Sequence, residues 1–236
     1  IKFIDAADTL SVQLHPDDVL AKKRHNSFGK TEMWYIIDSE PEGFIIADFK
    51  EQLTADDLTH YIEQGDLQNQ LKSYNVQPGD SFFITPGLVH AIGKGVLLAE
   101  IQQTSDITYR LYDWDRRDEQ GNGRKLHIDE SVEAIDYSLS TKPKIHYNNN
   151  GEKALLADNQ YFTTNRIQIN KSFNLDLKER DSFTILMGVD GNSQVDYDNS
   201  VHSINKGQTL LIPACLDEVS ISTKSQGVIL DVYINQ

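Results

Sequence analysis

Short runs rich in β-branched and aromatic residues, each closed by Gly, Pro, Asn or Asp, recur along nearly the whole chain and confine it to a mainly β fold. Such runs predict strands near 1–6, 10–15, 33–38, 43–49, 80–85, 95–102 and 107–113. A second series follows near 161–169, 173–178, 182–189, 194–198, 208–213, 218–223 and 227–234. One segment breaks the pattern. Thr54 is suited to cap a helix, Asp56 and Asp57 fall where the helix dipole favours acids, and Leu58, Tyr61 and Ile62 recur at helical spacing. A small helical insertion over 54–72 is therefore expected, with a further helix at 128–137 carrying Ile128, Val132 and Ile135.

The two series of strands are related. The stretches QPGDSFFITPGLVHAI (77–92) and NKGQTLLIPACLDEVSI (205–221) share a glycine turn, an apolar strand and a proline turn. Two related β units are implied. The Pro-, Asn- and Gly-rich stretch 140–153 reads as the connection between a first unit, 1–140, and a second, 141–236.

Charge removes several partners. With 22 basic against 36 acidic residues, the 236-residue chain carries a net charge of −14, which argues against a phosphate backbone as partner: no nucleic acid is expected. No run of about 18 apolar residues reads as a membrane span, and the opening IKFIDA reads as a strand rather than a leader. A single cysteine, Cys215, fits a reducing cytoplasm and reads as a small buried filler.

The chemistry is concentrated in the first unit. In LSVQLH (10–15), strand alternation turns Val12 and Leu14 to one side and Ser11, Gln13 and His15 to the other. That polar side is either solvent or a pocket. A carboxylate follows in GKTEMWY, where Glu32 opens a strand, and a second imidazole in ITPGLVHAI, where His90 follows a Pro-Gly turn amid apolar residues. Gln13, His15, Glu32, then Gly79, Pro86, Gly87 and His90 resemble, in their order, the metal-binding motifs of the cupins, a double cupin being two jelly-roll β-barrels. Two imidazoles, one carboxylate and one amide oxygen form a donor set that suits Zn²⁺.

Four stretches, SVQLHPDD, GKTEMWY, PGLVHAI and SDITYRLYDWDR, are similar in sequence and order to the type I mannose-6-phosphate isomerases of the short bacterial branch. The resemblance runs over nearly the whole chain. It implies a zinc enzyme that interconverts mannose 6-phosphate and fructose 6-phosphate through a cis-enediol, with a small sugar phosphate as substrate. By the same resemblance Gln13, His15, Glu32 and His90 hold one Zn²⁺ per chain, Arg110 is catalytic and Lys30 lies at the substrate pocket. The second unit is then a metal-free cupin, and the family's members carry residues preceding the strand that opens this chain. The proton carrier stays open between a zinc-bound water, Lys30 and a further carboxylate.

Taken without the resemblance, Arg110 beside Tyr109 and Asp113 reads as a solvated strand residue, and Lys30 beside Gly29 as a turn residue. His25, His60, His127, His146 and His202 fit no metal spacing and are expected at the surface. The run 113–125 mixes both charge signs with glycines and is expected as an exposed hairpin, with a flap over the pocket as the alternative. Two other functions compete: an iron or manganese oxygenase, against which the amide at position 13 counts, and a non-catalytic sugar-binding or regulatory cupin.

Overall fold

The computed structural model describes residues 1–137 and 142–234. The chain divides into two compact units, 1–144 and 145–236. The first runs β1 (Lys2–Asp5), β2 (Val12–Leu14), α1 (Asp18–His25), β3 (Glu32–Ser39), β4 (Phe44–Phe49), α2 (Ala55–Glu63), α3 (Leu67–Gln70), β5 (Leu71–Asn75), β6 (Ser81–Ile84), β7 (His90–Ile92), β8 (Val96–Gln102), β9 (Tyr109–Tyr112) and α4 (Ile128–Ala134). It ends at the short β10 (Lys144–Ile145).

Its strands form two five-stranded sheets, ordered β1-β8-β3-β6-β10 and β5-β4-β7-β2-β9, in the jelly-roll manner of a cupin. Between the sheets lies an apolar core that includes Trp34, Ile36, Ile45, Ala47, Phe82, Ile92 and Leu98. A second core covers the other face of the β5-β4-β7-β2-β9 sheet, where Val12, Leu14, Ala91, Tyr109 and Leu111 pack with Leu58 of α2 and, partly buried, Ile128 and Val132 of α4. Val12 and Leu14 thus face the helical layer. The polar side of LSVQLH is the barrel interior, not solvent.

The helical insertion begins as expected. Thr54 accepts the Asp57 amide at 3.1 Å while Asp57 accepts the Thr54 amide at 2.9 Å, a reciprocal capping box. It ends sooner than 72, because the chain leaves α3 at Gln70 and pairs at once as β5 against β4. Helix α1 has no counterpart among the expected elements. Asp17 caps it by accepting the Leu20 amide, and Asn26 closes it in the left-handed conformation at φ 51°.

The second unit comprises β11 (Lys153–Asp158), β12 (Thr163–Ile169), β13 (Ser172–Asp176), β14 (Thr184–Asp190), β15 (Asn192–Tyr197), β16 (Ser200–Asn205), β17 (Thr209–Ile212), β18 (Glu218–Thr223) and β19 (Gly227–Tyr233). They form sheets β11-β12-β19-β14-β17 and β13-β18-β15-β16 around a core of Ile167, Leu186, Val195, Ile221 and Ile229. β16 was not foreseen, and of the stretch read as a connection, residues 140 and 141 lie outside the described residues while Lys144–Ile145 pairs as β10.

The repeat reaches the backbone. Gly79 and Gly207 both take positive φ, 91° and 83°, two residues before β6 and β17, and each donates its amide at 2.9 Å to the neighbouring strand, to Ile36 and Gly188 respectively. β3 bulges against β8 between Ile36 and Asp38, and β14 against β19 between Gly188 and Asp190. Cys215 departs from expectation: it is a free, exposed thiol in the turn after β17, where Leu216 donates back to the Pro213 carbonyl.

Candidate metal centre

The members of the site come from separated stretches of backbone: β2 and the residue after it, β3, β7 and β9. Gln13 is opposed by His90 across β2–β7 and by Arg110 across β2–β9, so the three residues lie in one row across the sheet. Directly opposed strand residues point to the same face, and Ala47, opposite His90 on β4, belongs to the core between the sheets. The row therefore faces the barrel interior. Glu32 opens β3 on the opposing sheet, paired with Ile84 and Gln102.

Two turns bring the donors together. The Pro86-Gly87 turn, with Gly87 at φ 80°, donates its Gly87 amide to the His15 carbonyl at 2.8 Å and so ties β7 to the end of β2. The Gly29-Lys30 segment crosses the start of α1 so closely that a Cβ at position 29 would lie 2.5 Å from the Asp17 carbonyl carbon, which only glycine avoids. Asp18 accepts the Gly29 amide at 2.8 Å, and the Lys30 amide donates to the Pro16 carbonyl at 3.2 Å. This crossing delivers Lys30 and Glu32 to the barrel.

His15, Glu32 and His90 each offer a donor atom within 4.8 Å of the others, and none is more than 1% exposed. His15 Nε2 lies 3.2 Å from Glu32 Oε1, and His90 Nε2 lies 3.8 Å from Glu32 Oε2. Both rings are oriented from behind. His15 Nδ1–H donates to the Ile107 carbonyl and His90 Nδ1–H to that of Leu88, each at 2.8 Å. Those bonds fix the tautomer and leave both Nε2 lone pairs turned toward Glu32, the arrangement found behind metal-bound imidazoles. His15 Nε2 and both Glu32 oxygens are buried without a hydrogen-bond partner, which is costly unless a cation completes them. Lys30 Nζ, itself buried, stands 2.6 Å from Glu32 Oε1 as an ion pair without hydrogen-bond geometry. The residues present fit a divalent metal.

Gln13 stands at the edge of this group, its amide 3.5 Å from His90 Nε2. Arg110 is half-buried beside Gln13, and its Nη1 donates to the Lys125 carbonyl at 3.0 Å. Electrostatics follow from burial and charge. Burial pushes the His90 imidazole down to about 3, the charge of His15 adding to it. For Glu32 burial acts in the opposite sense, yet the His15 contact and the charges of His15, His90 and Lys30 outweigh it and hold the carboxyl well below its usual range.

A cavity of about 230 Å³ opens beside the cluster, lined among others by Lys2, Gln13, Lys30, Trp34, His90 and Glu100. Glu100, 4% exposed, was not foreseen as a site residue. Its Oε2 accepts the Trp34 indole N–H at 3.2 Å, its Oε1 accepts Lys2 Nζ at 2.9 Å, and Trp34 meets the His90 ring edge-on at 5.4 Å. The signal for it was a lone carboxylate inside the apolar run VLLAEI.

His25, His60, His146 and His202 are exposed as expected. His127 is not a plain surface residue: it is half-buried, and its Nδ1 accepts the Arg110 amide at 3.1 Å. The run 113–125 forms an exposed hairpin-like loop, pinned by Asp113, which pairs with Arg116 at 2.8 Å and with Arg124, and by the Trp114 indole, which donates to the Leu10 carbonyl at 2.8 Å. No helix among the described residues is long and apolar enough to cross a membrane.

Known proteins bear on this geometry. A family model described as the mannose-6-phosphate isomerase cupin domain matches residues 152–233. Mannose-6-phosphate isomerase ManA of Bacillus subtilis is 36% identical over 232 residues, 97% of this chain and 73% of that protein. Mannose-6-phosphate isomerase of Streptococcus mutans is 34% identical over 90% of this chain and 67% of that protein. The crystal structure of the Bacillus subtilis mannose 6-phosphate isomerase superposes with a TM-score of 0.86 at 28% identity, over 98% of this chain and 74% of that one. By sequence over almost its whole length, and by fold, the chain belongs to the mannose-6-phosphate isomerase family of cupin enzymes.

Proposed function

We propose that the chain interconverts mannose 6-phosphate and fructose 6-phosphate through a cis-enediol, with one Zn²⁺ held by His15, Glu32, His90 and Gln13. The observation that carries this reading is the buried His15–Glu32–His90 group, with both Nδ1 atoms committed to carbonyls and with His15 Nε2 and both Glu32 oxygens turned inward without hydrogen-bond partners. Two imidazoles and one carboxylate also hold non-haem iron; the amide of Gln13 as a fourth ligand and the kinship with isomerases rather than oxygenases favour zinc, with a water to complete the set. When bound, zinc supplies Lewis-acid stabilisation of negative charge on the sugar oxygens.

The remaining work falls to the chain's own groups. The reaction moves a proton from C2 of the open-chain aldose to C1 and the hydroxyl proton from O2 to O1; one carboxylate can take the carbon-bound proton and give it back. Glu100 suits that role: it lines the cavity, and its two hydrogen bonds to Trp34 and Lys2 fix its orientation. Lys30 and Arg110 supply positive charge toward an anionic substrate, Arg110 with donors in a fork that matches phosphate or enediolate oxygens. The exposed, unpaired thiol of Cys215 accords with a reducing cytoplasm.

Isomerisation of mannose 6-phosphate, followed through a coupled assay, is expected to vanish on verified metal removal and return with Zn²⁺. Full turnover by metal-free protein would reject the reading. Binding of sugar phosphate by the zinc-loaded chain without turnover would favour a regulatory cupin.

A further inference from the structure

β9 is the edge strand of its sheet, so the backbone groups that point away from β2 have no strand to meet. At Arg110 they are met by one residue. The Arg110 amide donates to His127 Nδ1 at 3.1 Å, and the His127 amide donates to the Arg110 carbonyl at 2.8 Å. His127 thereby supplies both hydrogen bonds of a missing neighbour strand, one from its backbone and one from its ring. With its own N–H and C=O turned to His127, Arg110 faces Gln13 as a non-hydrogen-bonded pair, the kind whose side chains lie closest. The guanidinium is held by the same segment, through Nη1 to the Lys125 carbonyl at 3.0 Å, and its Nε is buried with no hydrogen-bond partner.

The clamp is itself anchored. The His127 carbonyl accepts both the Ser131 amide at 2.9 Å and the Ser131 hydroxyl at 2.6 Å, in the first turn of α4. Ser131 is fully buried, and Ile128 and Val132 of that helix pack on the core beneath β9. A backbone N–H can only donate, so Nδ1 must be the unprotonated nitrogen and the ring carries its proton on Nε2.

We infer that His127 is a positioning residue for isomerisation: its Nδ1 fixes the edge-strand backbone of Arg110 and so aims the guanidinium into the site. The inference rests on the role given to Arg110 above. Around the ring stand Glu130 from its own helix, His25 from α1, Tyr109 and Arg110 from β9, and Lys125. Burial, opposed by Glu130 and aided by Lys125, Arg110 and His25, holds the imidazole below the ordinary histidine range, so the acceptor form is the resting one.

The test uses zinc-loaded protein and two amides. Asn places its oxygen where histidine carries Nδ1, whereas Gln places it where histidine carries Nε2. His127→Gln is expected to lower kcat/KM about tenfold to 100-fold, the scale of a misplaced catalytic group, with zinc content unchanged. His127→Asn is expected to restore most of that loss. In an Arg110→Ala background His127→Gln is expected to cost nothing further, whereas a role in folding alone would persist there. His127→Ala removes the same acceptor and replaces Gln if the Gln protein does not fold. Equal activity of the Asn and Gln proteins, or additive losses with Arg110→Ala, overturns the inference while leaving Arg110 its role. An Arg110→Ala protein as active as the unaltered chain removes that role, and this inference with it.

Discussion

Thr184 stands in the second unit where Glu32 stands in the first. Glu32 is opposed by Ile84 on β6 and Gln102 on β8; Thr184 is opposed by Ile212 on β17 and Tyr233 on β19. By the same register Asp231 is the counterpart of Glu100, opposite Leu186 as Glu100 is opposite Trp34. In the second unit Arg180 joins these positions, its Nη1 donating to Thr184 Oγ1 at 2.8 Å and to Asp231 Oδ1 at 2.6 Å. A guanidinium thus supplies, inside the second barrel, the positive charge that a divalent ion would supply in the first.

It follows that restoring the carboxylate alone will not create a second metal site, since the cation is already covalently present. Metal analysis of Thr184→Glu is expected to give the same metal content per chain as the unaltered protein. A second equivalent bound at comparable affinity would contradict the account.

The same ion pair carries a stability prediction. Arg180 and Asp231 are 7% and 0% exposed, so removing one partner strands a buried charge. Arg180→Ala is expected to cost about 3–5 kcal/mol, read as a fall in the urea midpoint. A loss below about 1 kcal/mol, the scale of surface pairs, would show the interior to be wetter than its burial indicates.

Much of this was readable beforehand, and the exceptions have physical causes. Val12 and Leu14 against Gln13 and His15 announced a two-faced strand, because a period of two needs only local sterics. His15, Glu32 and His90 could be grouped beforehand only through the order they share with the cupin motifs, because the contacts that bring them within 4.8 Å of one another are long-range and leave no local pattern. Helix α1 was hidden: DVLAKKRH buries only Ala21, so no apolar stripe marks it, and its evidence lies in the caps Asp17 and Asn26. The first two residues of β5, Leu71 and Lys72, were read as helix because LKSYN follows α3 without a break. His127 was the least legible, since its partner is a backbone amide at an edge strand, and no side-chain pattern encodes that.

Replacing a donor separates metal binding from packing. Glu32→Gln keeps the volume but removes the only carboxylate of the cluster and leaves Lys30 buried without its counter-charge. Zinc retention after dialysis and isomerase turnover are both expected to fall, turnover by about 100-fold or more, with the far-ultraviolet spectrum of a folded β protein retained. Turnover near that of the unaltered chain would exclude Glu32 as a ligand.

The capping box offers a change that leaves the chemistry alone. Thr54→Ala removes the hydroxyl that accepts the Asp57 amide and is expected to lower stability by about 1 kcal/mol. α2 contributes Leu58 to the outer core, while the metal cluster lies on the other side of the β2 sheet, so kcat is expected to stay put. A large loss of kcat at unchanged zinc content would mean that the helical layer governs the barrel interior.

Acid should act on the metal-free protein through His90. Its imidazole is held down to about 3 in the folded chain, against 6.5 for an unperturbed histidine, because burial disfavours the cation. Between those values the unfolded chain binds a proton that the folded chain refuses, so stability falls as pH drops below about 6.5 and levels off near 3. Glu32 shifts the other way: its folded pKa is depressed, so its contribution is present above the ordinary carboxylate range and fades only at lower pH, as the acid unfolded state competes for the proton. Urea midpoints of chelated protein, taken at intervals from pH 8 to 5, should therefore decline toward acid, and His90→Asn should flatten the slope between about pH 6.5 and 5. Parallel curves for the two proteins would mean that the ring is protonated, or solvated, inside the barrel.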